Sequence, residues 1–79
     1  MANCNLPVID KAATGENIKR LLRLKNMSVI QLQESLGMPS GILIYKWCRG
    51  DHLPSTEYLL MMSKLFGCLI EDILVVQEV

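Results

Sequence analysis

The 79-residue chain contains no apolar run near the roughly 20 residues that span a bilayer, and no basic stretch leading into an apolar core of the secretory kind. The expected compartment is the cytoplasm. No CxxC pair occurs, and the three cysteines, Cys4, Cys48 and Cys68, are odd in number and scattered. A disulfide framework wants an even count, so reduced thiols are expected. Cys48-x-x-x-His52 has tolerable spacing for a metal, with Cys4 or Cys68 to join it. Structural zinc, however, takes four ligands in closely spaced pairs, and Gly50 interrupts the helix between these two, so no metal or other cofactor is expected. His52 is the single histidine, and neither a glycine-rich phosphate loop nor a nucleophile elbow is present. A catalytic triad needs a base oriented by a third group over an oxyanion site; Asp51 beside His52 does not supply that, and no enzymatic activity is expected.

What is present suits one small domain. At this length folding buries only about 60% of the unfolded surface, and a second domain does not fit. Half the residues are hydrophobic (51%) and a fifth charged (20%), a folding composition and not a disordered one. The zero net charge hides an asymmetry. Residues 1–50 hold seven basic residues against three acidic ones, a surplus of +4, and residues 51–79 hold Lys64 against five acids, −4. Such a split points to an N-terminal half facing a polyanion.

Apolar spacing and cap residues divide the chain into five short helices. Thr14 is placed to cap helix one, about 15–25, where Ile18, Leu21, Leu22 and Lys25 recur at helical spacing. Ser28 and Gln31 have the spacing of a capping box, with Met27 and Leu32 as the hydrophobic staple outside it. Helix two then runs to Leu36 and stops at Gly37. After Met38-Pro39, Ser40 can cap helix three, about 41–49, ended by Gly50. Pro54-Ser55 opens helix four, whose buried stripe reads Tyr58, Leu59, Met62 and Leu65-Phe66 before Gly67. The Met61-Met62 pair beside Leu59-Leu60 reads as core in preference to an adaptable groove for a partner, and Cys68 reads as core filling. Helix five, about 70–74, offers Ile70, Ile73 and Leu74. The flanks at 6–9 and 75–79 look extended enough to pair as edge strands. The division expected is an extended arm over 1–13, a helical domain over 14–75 and a tail over 76–79. Helices this short are marginal alone, so mutual packing must hold them.

Leu32 to Trp47, two short helices about a tight turn at Gly37, has the form of a helix-turn-helix. Gly15-Glu16-Asn17-Ile18-Lys19-Arg20-Leu21, Met27-Ser28, Leu36-Gly37, Ile44-Tyr45-Lys46-Trp47, Gly50, Leu53-Pro54-Ser55 and Leu65-Phe66-Gly67 follow one another in an order and spacing that resembles the lambda-repressor-like (Cro/C1-type, XRE) DNA-binding family over about residues 15–74. The resemblance implies an all-α, compact five-helix domain with helix three in the major groove and the N-terminus of helix two against the DNA backbone. Three departures stand out. One extra residue lies between Gly37 and Trp47, and Gln33 replaces a small residue common in the family. Leu22 and Cys48 occupy positions where many members carry a paired Arg and Glu, and exchanging both ions for apolar packing is physically coherent.

At about 100° per residue, Ile44, Trp47 and Cys48 share one side of helix three, with Leu43 at its margin. Ile42, Tyr45, Lys46 and Arg49 cluster on the opposite side, which is expected to be exposed. Lys46 suits a guanine edge or a phosphate, while Ile42 and Leu43 suit thymine methyls. Tyr45 and Arg49 suit phosphates, as do Ser28 and Val29 at the start of helix two and His52 in the loop beyond helix three. The expected partner is double-stranded DNA, bound by a homodimer joined through helix five and the tail, where Leu69, Ile70, Val75, Val76 and Val79 exceed what a small core buries. The expected role is a sequence-specific regulator, a repressor by type. The competing reading is a helix-turn-helix interaction module or antitoxin-type subunit that binds protein through Ile42, Leu43 and Tyr45.

Overall fold

The computed structural model describes residues 6–77. Five helices follow in order: α1 (Lys11–Leu24), α2 (Val29–Leu36), α3 (Ile42–Arg49), α4 (Thr56–Phe66) and α5 (Ile70–Ile73). Their apolar stripes meet in one core, and Ile18, Leu32, Ile44, Trp47, Met62 and Ile73 sit at its centre. Cys48 belongs to it, and Cys68 packs against its edge. The Trp47 and Tyr58 rings lie with centroids 5.5 Å apart and planes tilted by 54°, linking α3 to α4. The buried indole Nε1 has no acceptor among the described residues.

The most extensive helix contact joins α1 to α3. Gly15 makes it possible: a Cβ there would lie 2.6 Å from the Cys48 carbonyl oxygen and closer still to that of Trp47. Leu22 and Cys48 are both buried in the same core, where an apolar pair leaves no charge to desolvate.

α1 begins earlier than the apolar spacing predicts. Asp10, not Thr14, is its N-cap, with Oδ1 accepting from the Ala13 N–H at 2.9 Å. The first three residues, Lys11-Ala12-Ala13, carry no apolar period and so leave no signal, and α1 takes them out of the extended arm. Thr14 is buried inside the helix, where its hydroxyl accepts from the Val75 N–H at 2.9 Å. One turn on, Asn17 Nδ2 donates to the carbonyls of Asp72 (2.7 Å) and Ile73 (2.9 Å). Among the described residues the extended flanks pair as a single antiparallel bridge, Ile9 with Val76, flanked by Asp10 N–H to Val75 O and Gln77 N–H to Val8 O, each 2.7 Å, and residues 78 and 79 lie outside the described residues. The chain's second half is thereby stitched to α1.

α4 corrects two further expectations. Leu65 and Met61 are exposed, and Ser63 takes a place in the buried stripe, its hydroxyl donating to the Leu60 carbonyl at 2.8 Å. Helical geometry explains this: Leu59, Met62, Ser63 and Phe66 lie on one side, and Leu65 falls beyond its edge.

Candidate nucleic-acid interface

α2 and its turn into α3 form the frame. At the start of α2, Ser28 Oγ accepts from the Gln31 N–H (3.1 Å) while Gln31 Oε1 accepts from the Ser28 N–H (2.8 Å), the capping box the spacing predicts. The first-turn N–H groups of Val29 and Ile30 stay outside the intrahelical ladder, leaving donors and the positive end of the helix dipole at this end. Ser28 is exposed and Val29 half-buried. α2 ends at Gly37, whose φ of 70° is the left-handed value a side chain resists. Met38 then drops its side chain into the core and donates its N–H to the Gln33 carbonyl at 3.0 Å. The turn, with its additional residue, is thus anchored and not free.

α3 starts one residue later than Ser40 alone suggests. Gly41 is the N-cap and offers no side chain, and Ser40 Oγ reaches only the Ile42 N–H, at 3.4 Å. The helix divides as its periodicity implies. Ile44, Trp47 and Cys48 are buried, whereas Ile42 (65% exposed), Tyr45 (54%), Leu43 and Arg49 face solvent. Lys46, expected on the exposed side with Ile42, Tyr45 and Arg49, is instead half-buried, and no carboxylate lies within ion-pair distance of it among the described residues.

Three features escape a reading of spacing. Arg49 is not free: its Nη2 and Nε reach Asp51 Oδ2 at 3.0 and 3.1 Å. Both partners are exposed, so the pair is worth at most about 1 kcal/mol and a phosphate can displace it. Tyr45 reaches back toward α2, because the space beside Gly41 is bounded by Tyr45 Cε2, Val29 Cγ1 and Gln33 Oε1, all about 3.5 Å from where a Cβ would sit. Gln33 therefore fills the gap between the helices where a smaller residue would leave one. Ile30, 64% exposed, adds apolar surface to α2 beside Val29. Only its position, just inside a cap and off the buried stripe, could have drawn notice. His52 is exposed in the loop, where its N–H and that of Asp51 bond the Lys46 carbonyl at 3.4 and 2.9 Å.

The Cys48–His52 spacing brings no metal cluster together: Cys48 is buried while His52 is exposed, and among the described residues no three His, Cys, Asp or Glu side chains converge. Cys4 lies outside the described residues. Burial pushes the Cys48 thiol above its usual range, a desolvation effect that exceeds the opposing pull of Lys19. No helix among the described residues is long and apolar enough to cross a membrane.

Two short helices about an anchored turn, the second with its outer face open, define a helix-turn-helix of the DNA-binding type. The chain belongs to the Cro/C1-type HTH DNA-binding domain family, whose sequence model matches residues 17–78. Among solved structures, the DNA-binding domain of BldD superimposes with a TM-score of 0.69 at 16% identity, covering 84% of this chain and 94% of that one. The same domain from S. venezulae gives a TM-score of 0.70, also at 16% identity, over 84% and 97%. A transcriptional regulator from Listeria innocua gives 0.71 at 25% identity, covering 84% of this chain and 62% of that regulator. No curated protein sequence matches the chain.

Proposed function

We propose that the chain is a sequence-specific transcriptional regulator, a repressor by type, that binds double-stranded DNA as a dimer in the cytoplasm and catalyses nothing. The observation that carries this reading is the open face of α3, where Lys46 has no acidic partner among the described residues and Ile42 projects beside it, next to the donor-bearing start of α2. In the major groove Lys46 meets a guanine edge or a nearby phosphate, and Ile42 and Leu43 meet thymine methyls. Ser28 and the Val29 N–H, Tyr45, Arg49 once released from Asp51, and His52 meet the backbone.

Direct readout on this face is thin. A good bidentate base contact is worth about 1–3 kcal/mol, whereas specific binding needs about 4–10 kcal/mol over nonspecific binding. DNA deformability and a second half-site supply the difference. Two copies meet along their C-terminal sides, where Leu69 and Val76 are exposed; Ile70 and Val75 are half-buried by their own chain, and Val79 lies outside the described residues.

Selection from a random DNA pool, followed by titration of the best site at several salt concentrations, tests the reading. Affinity should fall with a log–log slope of about −0.9 per phosphate neutralised, and Lys46→Ala should weaken binding and blur one base pair per half-site. Unchanged affinity and preference in Lys46→Ala would remove α3 from the groove. A second reading is favoured by the exposure of Ile42, Leu43, Tyr45 and Ile30: a protein partner docks on this apolar face, as in an antitoxin-type subunit. A salt-sensitive, sequence-dependent gel shift excludes a role confined to protein binding.

A further inference from the structure

The exposed apolar surface does not end at α5. Leu69 (65% exposed) is continuous with α4 through a concavity of about 290 Å³ lined by Leu60, Ser63, Lys64, Cys68, Leu69, Ile70 and Glu71. Across Leu60 and Lys64 it adjoins an open groove of about 520 Å³ between α4 and the end of α2, where Leu36, Leu60, Met61 and Leu65 form the walls. Leu60 is 51% exposed, and Met61 and Leu65 also stand open to solvent. An outer helix face in a small domain is normally polar; here Leu60 with Lys64, and Met61 with Leu65, make two i,i+4 rows in which only one residue is charged.

The charges on this surface are of both signs. Lys64 and Glu71 border the same concavity, yet neither belongs to an ion pair among the described residues. A two-fold axis placed midway between Lys64 and Glu71 would set each Lys64 opposite the other copy's Glu71, twice over, across the apolar lining at Leu60 and Leu69. A patch carrying one unpaired charge of each sign around an apolar centre complements itself; a one-signed partner would leave a like charge opposed.

We infer that the outer face of α4, with Leu69 at its edge, is the surface on which a second copy of this chain docks, held by Leu60, Met61 and Leu65 and oriented by reciprocal Lys64–Glu71 pairs. The inference rests on the dimeric reading above but moves its surface from α5 and the tail to α4, with Leu69 kept at the edge and the tail, already bridged to Ile9, outside it.

Sedimentation of the full chain, alone and on a palindromic site, tests this. Lys64→Glu and Glu71→Lys should each weaken self-association by about tenfold or more through like-charge juxtaposition, and the double exchange should restore it. Leu60→Ser should also lower the sedimenting mass while circular dichroism stays unchanged, since the side chain is exposed. Each of these variants should keep its affinity for a single half-site. If Lys64→Glu and Leu60→Ser dimerise like the parent while Val76→Asp does not, the tail is the interface and the α4 assignment is wrong, with the dimeric reading intact. A parent chain that remains monomeric at high concentration with and without DNA overturns both, and leaves the groove to a different protein.

Discussion

Replacing Gly15 by alanine sets two effects against each other, and the structure decides between them. In an isolated helix the change gains about 1 kcal/mol of propensity. Here the new methyl would sit 2.6 Å from the Cys48 carbonyl oxygen and closer to that of Trp47, and both are backbone atoms of α3 that no rotamer change can move. Relief requires α1 and α3 to part by more than about half an ångström, which loosens contacts throughout the main helix interface. Overpacking costs about 1–3 kcal/mol, and with two backbone oxygens in the way the upper part, about 2–3 kcal/mol, applies, so after the propensity gain the net expectation is destabilisation by about 1–2 kcal/mol. In a domain of this size that is a fall in Tm of about 5–15 °C. Gly37→Ala is the control: nothing lies within 4 Å of its Cβ, and the left-handed φ of 70° alone costs about 1–2 kcal/mol. The two variants should differ in a second readout. Gly15→Ala displaces the helix that carries Ile42 and Lys46, so the folded fraction should bind DNA more weakly per molecule. Paired thermal melts and titrations on the selected site check this, and a Gly15→Ala protein that melts at or above the parent would refute the close-approach argument.

Three other outcomes follow from particular contacts. Asp51→Asn releases Arg49 in the free protein while keeping the backbone bond to Lys46, so DNA affinity should rise severalfold; an unchanged affinity would exclude Arg49 from the contact. Thr14→Val preserves shape but removes the acceptor of the Val75 N–H, which should cost about 1 kcal/mol and accelerate amide exchange at Val75 ahead of the core. In a Cys4→Ser background, Cys68 should react with a thiol reagent before the buried Cys48, which waits for global opening. Because burial raises the folded-state pKa of Cys48, its contribution to stability is full below the unfolded thiol range and is lost as pH rises through the folded value. Cys48→Ala should therefore flatten the alkaline side of the stability–pH curve.

Much of the fold is legible because its signals are local. The Ser28–Gln31 box, the glycine stops at 37, 50 and 67, and the division of α3 into Ile44-Trp47-Cys48 and its opposite side all lie within a few residues of one another. The open face of α3 follows from the same geometry. What stays hidden depends on distant partners or on an irregular backbone. The start of α1 has no apolar period to reveal it, and Thr14 leaves the cap position because its hydroxyl serves Val75, 61 residues away. Leu65 looks like core in a run of apolar residues, and only the helix's actual rotation turns it outward. The Arg49–Asp51 pair requires the loop to curl back after Gly50. The roles of Gln33 and Tyr45 require the spacing between two helices, which no single stretch of chain encodes.

The sole tryptophan gives this domain a built-in optical gauge. Trp47 is almost wholly enclosed on the rear of α3, against the Tyr58 ring. Its fluorescence should accordingly be blue and resistant to quenchers in solution, reddening only when the interior opens. A ligand seated on the front of the same helix can therefore be followed by other signals while this one reports, independently, whether the scaffold beneath has held.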